Sequence, residues 1–178
     1  MRNFYNIIAL RIFIIGSIYL YNPSLGNGQA LDYKYQIMFI NNFAKNIEWP
    51  PDAQQGDFII GVFDNQKVAK DMQSFFIGKS INGRKVVIRN FPNINSIQDP
   101  HILFIPISNK NVISGITNKL GNKPILIITE KEGWGKQGSV INFIVTEEGR
   151  MKFELNKDAA QKRSIKIPSS LANLAIIL

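Results

Sequence analysis

Phe58-Ile-Ile-Gly-Val-Phe63, bounded by Gly56-Asp57 before it and Asp64-Asn65 after it, is the stretch whose reading decides the fold. A strand with one wet face alternates polar and apolar residues, whereas an unbroken apolar run suits a strand covered on both sides. The residues that follow supply the cover. Lys67 to Phe76 places Val68, Met72 and Phe75-Phe76 on one side of a helix that Gly78 stops, and Asn82-Gly83 then leads into a second strand, Arg84-Lys-Val-Val-Ile-Arg89. A helix between two strands returns the chain to the starting end of the sheet, so the two strands run parallel and form a βαβ unit.

The alternation continues downstream. Ile102-Leu-Phe-Ile-Pro-Ile107 is a third strand with Pro106 near its end, Asn111 to Leu120 a helix closed by Gly121, and Pro124-Ile-Leu-Ile-Ile-Thr129 a fourth strand. From Gly138 to Asn156, Ile141, Phe143 and Val145 alternate on one arm and Met151, Phe153 and Leu155 on the other. Glu147-Glu148-Gly149 forms the turn of this hairpin at the sheet edge. Lys157 to Ser164 predicts a short helix with Ala159-Ala160 inward, and Leu171 to Leu178 a final apolar helix started by Pro168-Ser-Ser. Upstream, Tyr33, Ile37, Ile40, Phe43 and Ile47 give helical spacing over Leu31 to Asn46, with Asp32 as an N-cap or first-turn acid. Glu48-Trp49-Pro50-Pro51 ends that helix, because proline disfavours helical geometry in the residue before it. The expected fold is a single-domain α/β sandwich: a mixed sheet of about six strands, flanking helices and a C-terminal β-hairpin.

The first 30 residues stand outside that domain. Arg2 and Arg11 flank an apolar start, Ile12 to Tyr21 carries no charge, and Gly28-Gln29-Ala30 offers a small-x-small cleavage site. An uncharged run of about ten residues is short of the roughly 20 that a spanning helix needs, so residues 1–30 are expected to be a cleaved signal peptide and not a retained anchor. Residues 31–178 then form the exported, periplasmic domain. Losing two arginines and no acids lowers the net charge from +8 to +6. Without a run of basic residues or an aromatic-interleaved basic motif, that charge points to solubility and weak attraction to an anionic membrane, not to nucleic acid.

The inventory of reactive groups is thin. Cysteine is absent, which removes thiol nucleophiles, thiolate metal sites and disulfides. His101 is the one imidazole, too few for a histidine metal site, and no G-x-S-x-G elbow accompanies it. Glu147-Glu148 is a solvated turn. Gly133-Trp-Gly-Lys-Gln-Gly138 matches the dinucleotide pattern G-x-G-x-x-G, but a strand follows it where the pyrophosphate would need a helix N-terminus. No catalytic residue, metal or cofactor is therefore expected, and the chain does not read as an enzyme. Trp134, held among glycines, Lys131 and Lys136, is expected to be partly exposed, as tryptophans at binding hot spots are.

An ordered set of short pieces resembles the YfiR family. They are Asn42-Phe43-Ala44-Lys45 with Glu48-Trp49-Pro50, Phe58-Ile-Ile-Gly-Val62, Gly78-Lys79 with Ile81-Asn82-Gly83-Arg84, His101-Ile-Leu-Phe-Ile105, Gly138 with Ile141-Asn142-Phe143, and Phe153-Glu154-Leu155-Asn156 with Ala159-Ala160. The resemblance spans roughly residues 35 to 178. It implies a periplasmic repressor that binds the exported sensing domain of an inner-membrane diguanylate cyclase and restrains cyclic-di-GMP and biofilm output. A different membrane sensor as partner, an accessory role beside a histidine kinase, and a periplasmic small-molecule-binding module using a pocket beside the glycine loop are the alternatives. A homodimer also stays open. Relatives carry redox-linked cysteines and this chain has none, so a disulfide switch is excluded here. The expected partner-binding residues are Trp49, Trp134, Lys152 and Glu154, with Phe143 buttressing them.

Overall fold

The computed structural model describes residues 33–107 and 110–178. The expected signal peptide, residues 1–30, and the expected Asp32 cap lie outside these residues. Tyr33 to Leu178 is one compact unit. Its first helix, α1 (Lys34–Asn46), buries Ile37, Ile40, Phe43 and Ala44. Strand β1 (Phe58–Phe63), helix α2 (Gln66–Phe76), the short β2 (Ser80–Ile81) and β3 (Arg84–Phe91) follow. The Asn65 side chain accepts from the Val68 N–H at 3.0 Å and so caps α2. Then come β4 (Ile102–Ile105), α3 (Ile113–Leu120), β5 (Leu126–Thr129) and the hairpin of β6 (Ile141–Val145) and β7 (Met151–Leu155). The chain finishes with α4 (Lys157–Lys162), α5 (Ser169–Ala172) and β8 (Ile176–Ile177).

The sheet has eight strands, not about six, in the order β2-β3-β1-β4-β5-β6-β7-β8. Strands β3, β1, β4, β5 and β6 are parallel; β2 and β7 run antiparallel to their neighbours β3 and β6, and β8 lies parallel to β7. β1 is buried on both sides, as its apolar run requires. Gly61 in its middle is needed, because a Cβ there would sit 2.5 Å from the Phe91 ring.

Successive residues of β4 face opposite cores. Ile102 and Phe104 join α1, α2 and the α4 alanines on one side, in a core that also holds Phe43, Phe143 and Phe153. Leu103 and Ile105 join Ile113, Ile116 and Leu120 of α3 on the other.

The hairpin is not the sheet edge, and the final helix is not a helix beyond Ala172. Ile176 and Ile177 pair with Glu154 and Leu155, and the Leu178 N–H donates to the Leu155 carbonyl at 3.0 Å. The tail satisfies the backbone groups that β7 would otherwise leave open. No helix among the described residues is long and apolar enough to cross a membrane.

Candidate functional site

The two tryptophans, expected on one contact surface, lie in opposite cores. Trp49 is 6 % exposed and packs edge-on against Phe58, with ring centroids 5.2 Å apart. Its position follows from a backbone bridge just before it, where Glu48 and Lys166 exchange N–H to carbonyl bonds of 3.1 and 3.0 Å. The Trp49 Nε1 is buried and has no hydrogen-bond partner among the described residues. Trp134 is 2 % exposed, not partly exposed as expected. A 3-10 turn over Gly135–Gln137 folds the glycine loop down, so that the indole fills the core beneath α3, and Lys131 Nζ lies 5.1 Å from its ring. Gly135 permits this closure: a Cβ there would meet Leu178 at 2.5 Å and Glu154 Oε2 at 2.8 Å. The loop then enters β6, a strand, as its sequence implied.

Phe143 belongs to the first core, 6.1 Å from Phe43 and 5.8 Å from Phe39. Lys152 is exposed on β7, and Glu154 is half-buried on the same side of the strand. Glu154 is held from beneath. Its Oε2 accepts from Asn142 Nδ2 at 2.8 Å, while Asn142 Oδ1 accepts from the Thr129 hydroxyl at 2.7 Å and the Lys131 N–H at 3.2 Å. Thr129 of β5, Asn142 of β6 and Ser139, just before β6, are fully buried polar residues in an apolar setting. That interruption is visible in the sequence, but its meaning needs the strand order. Of the five expected contact residues, Lys152 and Glu154 come together at the outer end of the sheet, next to β8. Around them Leu174, Ile176, Ile177 and Leu178 are exposed apolar side chains.

His101 and Arg84 form a second constellation. The imidazole stacks on Phe58 at 4.8 Å, and its Nδ1 accepts from the Ile59 N–H at 3.1 Å. The ring proton therefore sits on Nε2, 2.9 Å from the Ala53 carbonyl that accepts it. Burial, and then the Arg84 charge 2.8 Å away, lower the His101 pKa from its usual value, so the ring is neutral. Arg84 donates to the carbonyls of Gly56, Ala53, Gln55 and Asp57 at 2.7 to 3.2 Å. Both side chains are occupied in tying the Pro51–Asp57 connection to the sheet. Among the described residues no group of three His, Asp or Glu side chains could hold a metal ion.

Two titratable groups, the half-buried Glu130 and the buried Arg163, are not marked by the sequence pattern. Glu130, after β5, accepts from the Ile107 N–H at 2.6 Å and from Gln36 at 3.2 Å; burial raises its pKa. Arg163, just after α4, is 5 % exposed, and burial lowers its pKa. It lines a polar cleft of about 470 Å³ formed by the end of α3, the glycine loop and α4. A separate cleft of about 480 Å³ lies beside Trp49 and Arg84.

With this geometry in view, the chain matches the YfiR/HmsC-like family model over residues 33–176. It belongs to that family. YfiR/HmsC-like proteins are a regulatory, non-catalytic family tied to diguanylate cyclase systems. Among solved structures, the chain is similar to one from Streptococcus pneumonia described as an ABC domain in complex with L-Trp. The TM-score is 0.51 and the identity 17 %, covering 77 % of this chain and 58 % of that one. This chain thus spans little more than half the length of that structure, and the likeness is one of fold. No curated protein matches the chain.

Proposed function

We propose that this YfiR/HmsC-like chain is a periplasmic regulator that binds the exported sensing domain of an inner-membrane diguanylate cyclase, stabilises its inactive state, and so lowers cyclic-di-GMP and biofilm output. The family match across residues 33–176 carries this reading. The basic charge left after residues 1–30 supports work beside an anionic membrane surface. Repression of this kind requires only that the chain bind the inactive sensor more tightly than the active one. With no cysteine available, release comes through a ligand or a competing partner.

The contact surface in this reading is the β7–β8 end of the sheet. Lys152 and Glu154 provide its polar part, and Ile176 and Leu178, on the same face of the sheet, its apolar part. Trp134 and Phe143 support it from the two cores, and Trp49 acts at a distance by shaping the cleft beside Arg84. A short outer strand with exposed apolar side chains is a ready template for a partner segment.

Deleting the gene tests the reading most directly: cyclic-di-GMP should rise, and an unchanged level would remove cyclase control. For the surface, Lys152→Glu combined with Ile176→Asp should weaken capture of the sensor's exported domain while leaving the urea midpoint unchanged. Undiminished capture would rule out this edge.

A further inference from the structure

Arg163 carries five N–H donors, and one of them has an acceptor among the described residues: Nη1 donates to the Lys123 carbonyl at a long 3.3 Å. The ion pairs among the described residues are Lys67–Asp71, Lys110–Asp64, Lys123–Asp99 and Lys166–Glu48, so no carboxylate neutralises this guanidinium. Such a group is costly to bury unless something pairs with it. The chain nevertheless buries it firmly. Arg163 N–H donates to the Ala160 carbonyl, and Ser164, with φ of +55°, turns the backbone so that Ile165 enters the first core.

The cleft that Arg163 lines is built to receive an anion. Lys136 of the glycine loop and Lys162 of α4 stand in its lining with Arg163, against a single acid, Asp158. Its neutral lining includes the side-chain amides of Asn118, Asn122 and Gln137, which can donate as well as accept. Gly138 sets one wall. Its φ is +101°, and a Cβ there would lie 3.1 Å from Thr117 of α3, so glycine lets loop and helix close on each other. A volume of about 470 Å³ admits a metabolite-sized ligand and excludes a folded partner. The exposed carbonyl end of α3 opposes an anion to some degree, but the Lys123 carbonyl engages only one arm of the guanidinium. A planar fork of free donors matches an oxyanion in two-pronged geometry.

We propose that this cleft is a binding site for a small molecule bearing a carboxylate or phosphate group, gripped by Arg163 at its floor and by Lys136 and Lys162 at its mouth. Binding is a property of the isolated chain and stands or falls independently of cyclase repression.

Thermal unfolding of the purified full chain provides the test, with inorganic phosphate or succinate at about 10 mM compared against sodium chloride of equal ionic strength. At least one of the two anions should raise the unfolding temperature by about 2–4 °C, and which one does so assigns the ligand's head group. Lys136→Ala with Lys162→Ala changes two exposed side chains. It should unfold at the wild-type temperature in chloride and lose at least half of the rise, and Arg163→Gln should lose all of it. Equal rises in chloride, no rise with either anion, or a full rise in the double-lysine variant would overturn the site.

Discussion

Arg84 and Arg163 are both drawn out of bulk water, and burial lowers the pKa of each, yet they are used in opposite ways. Arg84 spends its donors on four backbone carbonyls of residues 53–57, lies 5.4 Å from the Phe58 ring centroid, and has Asp57 nearby to sustain its charge. Among the described residues the Arg163 side chain has one long bond, to one carbonyl. A guanidinium that has given four of its five donors to its own backbone is a staple and has little left for a ligand. One that is buried and unsaturated still has most of its hydrogen-bonding capacity to give. Counting spent donors therefore separates the two roles where charge and burial alone do not.

Replacing each arginine by methionine puts that distinction at risk. Arg84→Met keeps much of the stem's packing and removes the four arginine bonds to the Pro51–Asp57 connection, leaving the His101 bond to Ala53. We expect a loss of about 2–3 kcal/mol in urea unfolding, the range for charge-assisted bonds with partial solvent access, and faster amide exchange around Gly56. A loss below about 0.5 kcal/mol would show that the staple holds nothing. Arg163→Met should fall within about 1 kcal/mol of wild type in chloride buffer, on either side, because removing an uncompensated buried charge relieves as much as it costs. A loss as large as that of Arg84→Met would make Arg163 a second staple and erase the contrast.

The sequence made Arg84 easier to place than Arg163. Arg84 follows Asn82-Gly83 at the start of a readable strand, one element from the Phe58 run. Arg163 falls at the end of the helix predicted over Lys157 to Ser164, beside Lys162 and close to Lys166, where no local pattern marks it for burial. Its burial depends on Lys123, 40 residues away, meeting it across the end of α3.

The same limit explains the two missing strands. Ser80–Ile81 and Ile176–Ile177 are each two residues long, too short to show any period, and each exists because a neighbouring strand has backbone groups to share. The uncharged tail looked like a packed helix because apolar content marks burial and does not distinguish helix from strand in so short a segment. The parallel core was legible for the opposite reason: long apolar runs separated by helical spacing admit few arrangements. For the tryptophans, sequence identified two large side chains needing an environment. Whether a glycine loop folds inward depends on close approaches such as Gly135 to Leu178, which no local pattern records.

The smallest expected effect is a pH dependence confined to the Arg84 side of the comparison. His101 is neutral in the fold, and its pKa is lowered from an ordinary value of 6.5. The unfolded chain takes up a proton near that ordinary value and the folded chain only at lower pH, so within this window the unfolded state binds more protons. His101 therefore contributes stability that is fully present above about pH 7 and is lost as pH falls through 6.5 towards the folded value. The slope cannot exceed that of one proton, about 1.4 kcal/mol per pH unit. His101→Gln keeps a neutral acceptor and donor without a titration. Its unfolding free energy should run parallel to wild type above pH 7 and fall less steeply below it. Glu130, whose pKa burial raises, tilts the opposite way, losing its contribution as pH rises, but it is common to both proteins and cancels in their difference. Parallel curves throughout would mean that His101 can be protonated in place. The Arg84 guanidinium 2.8 Å away would then tolerate a second positive charge, which a cation fixed in place by four backbone carbonyls should not do.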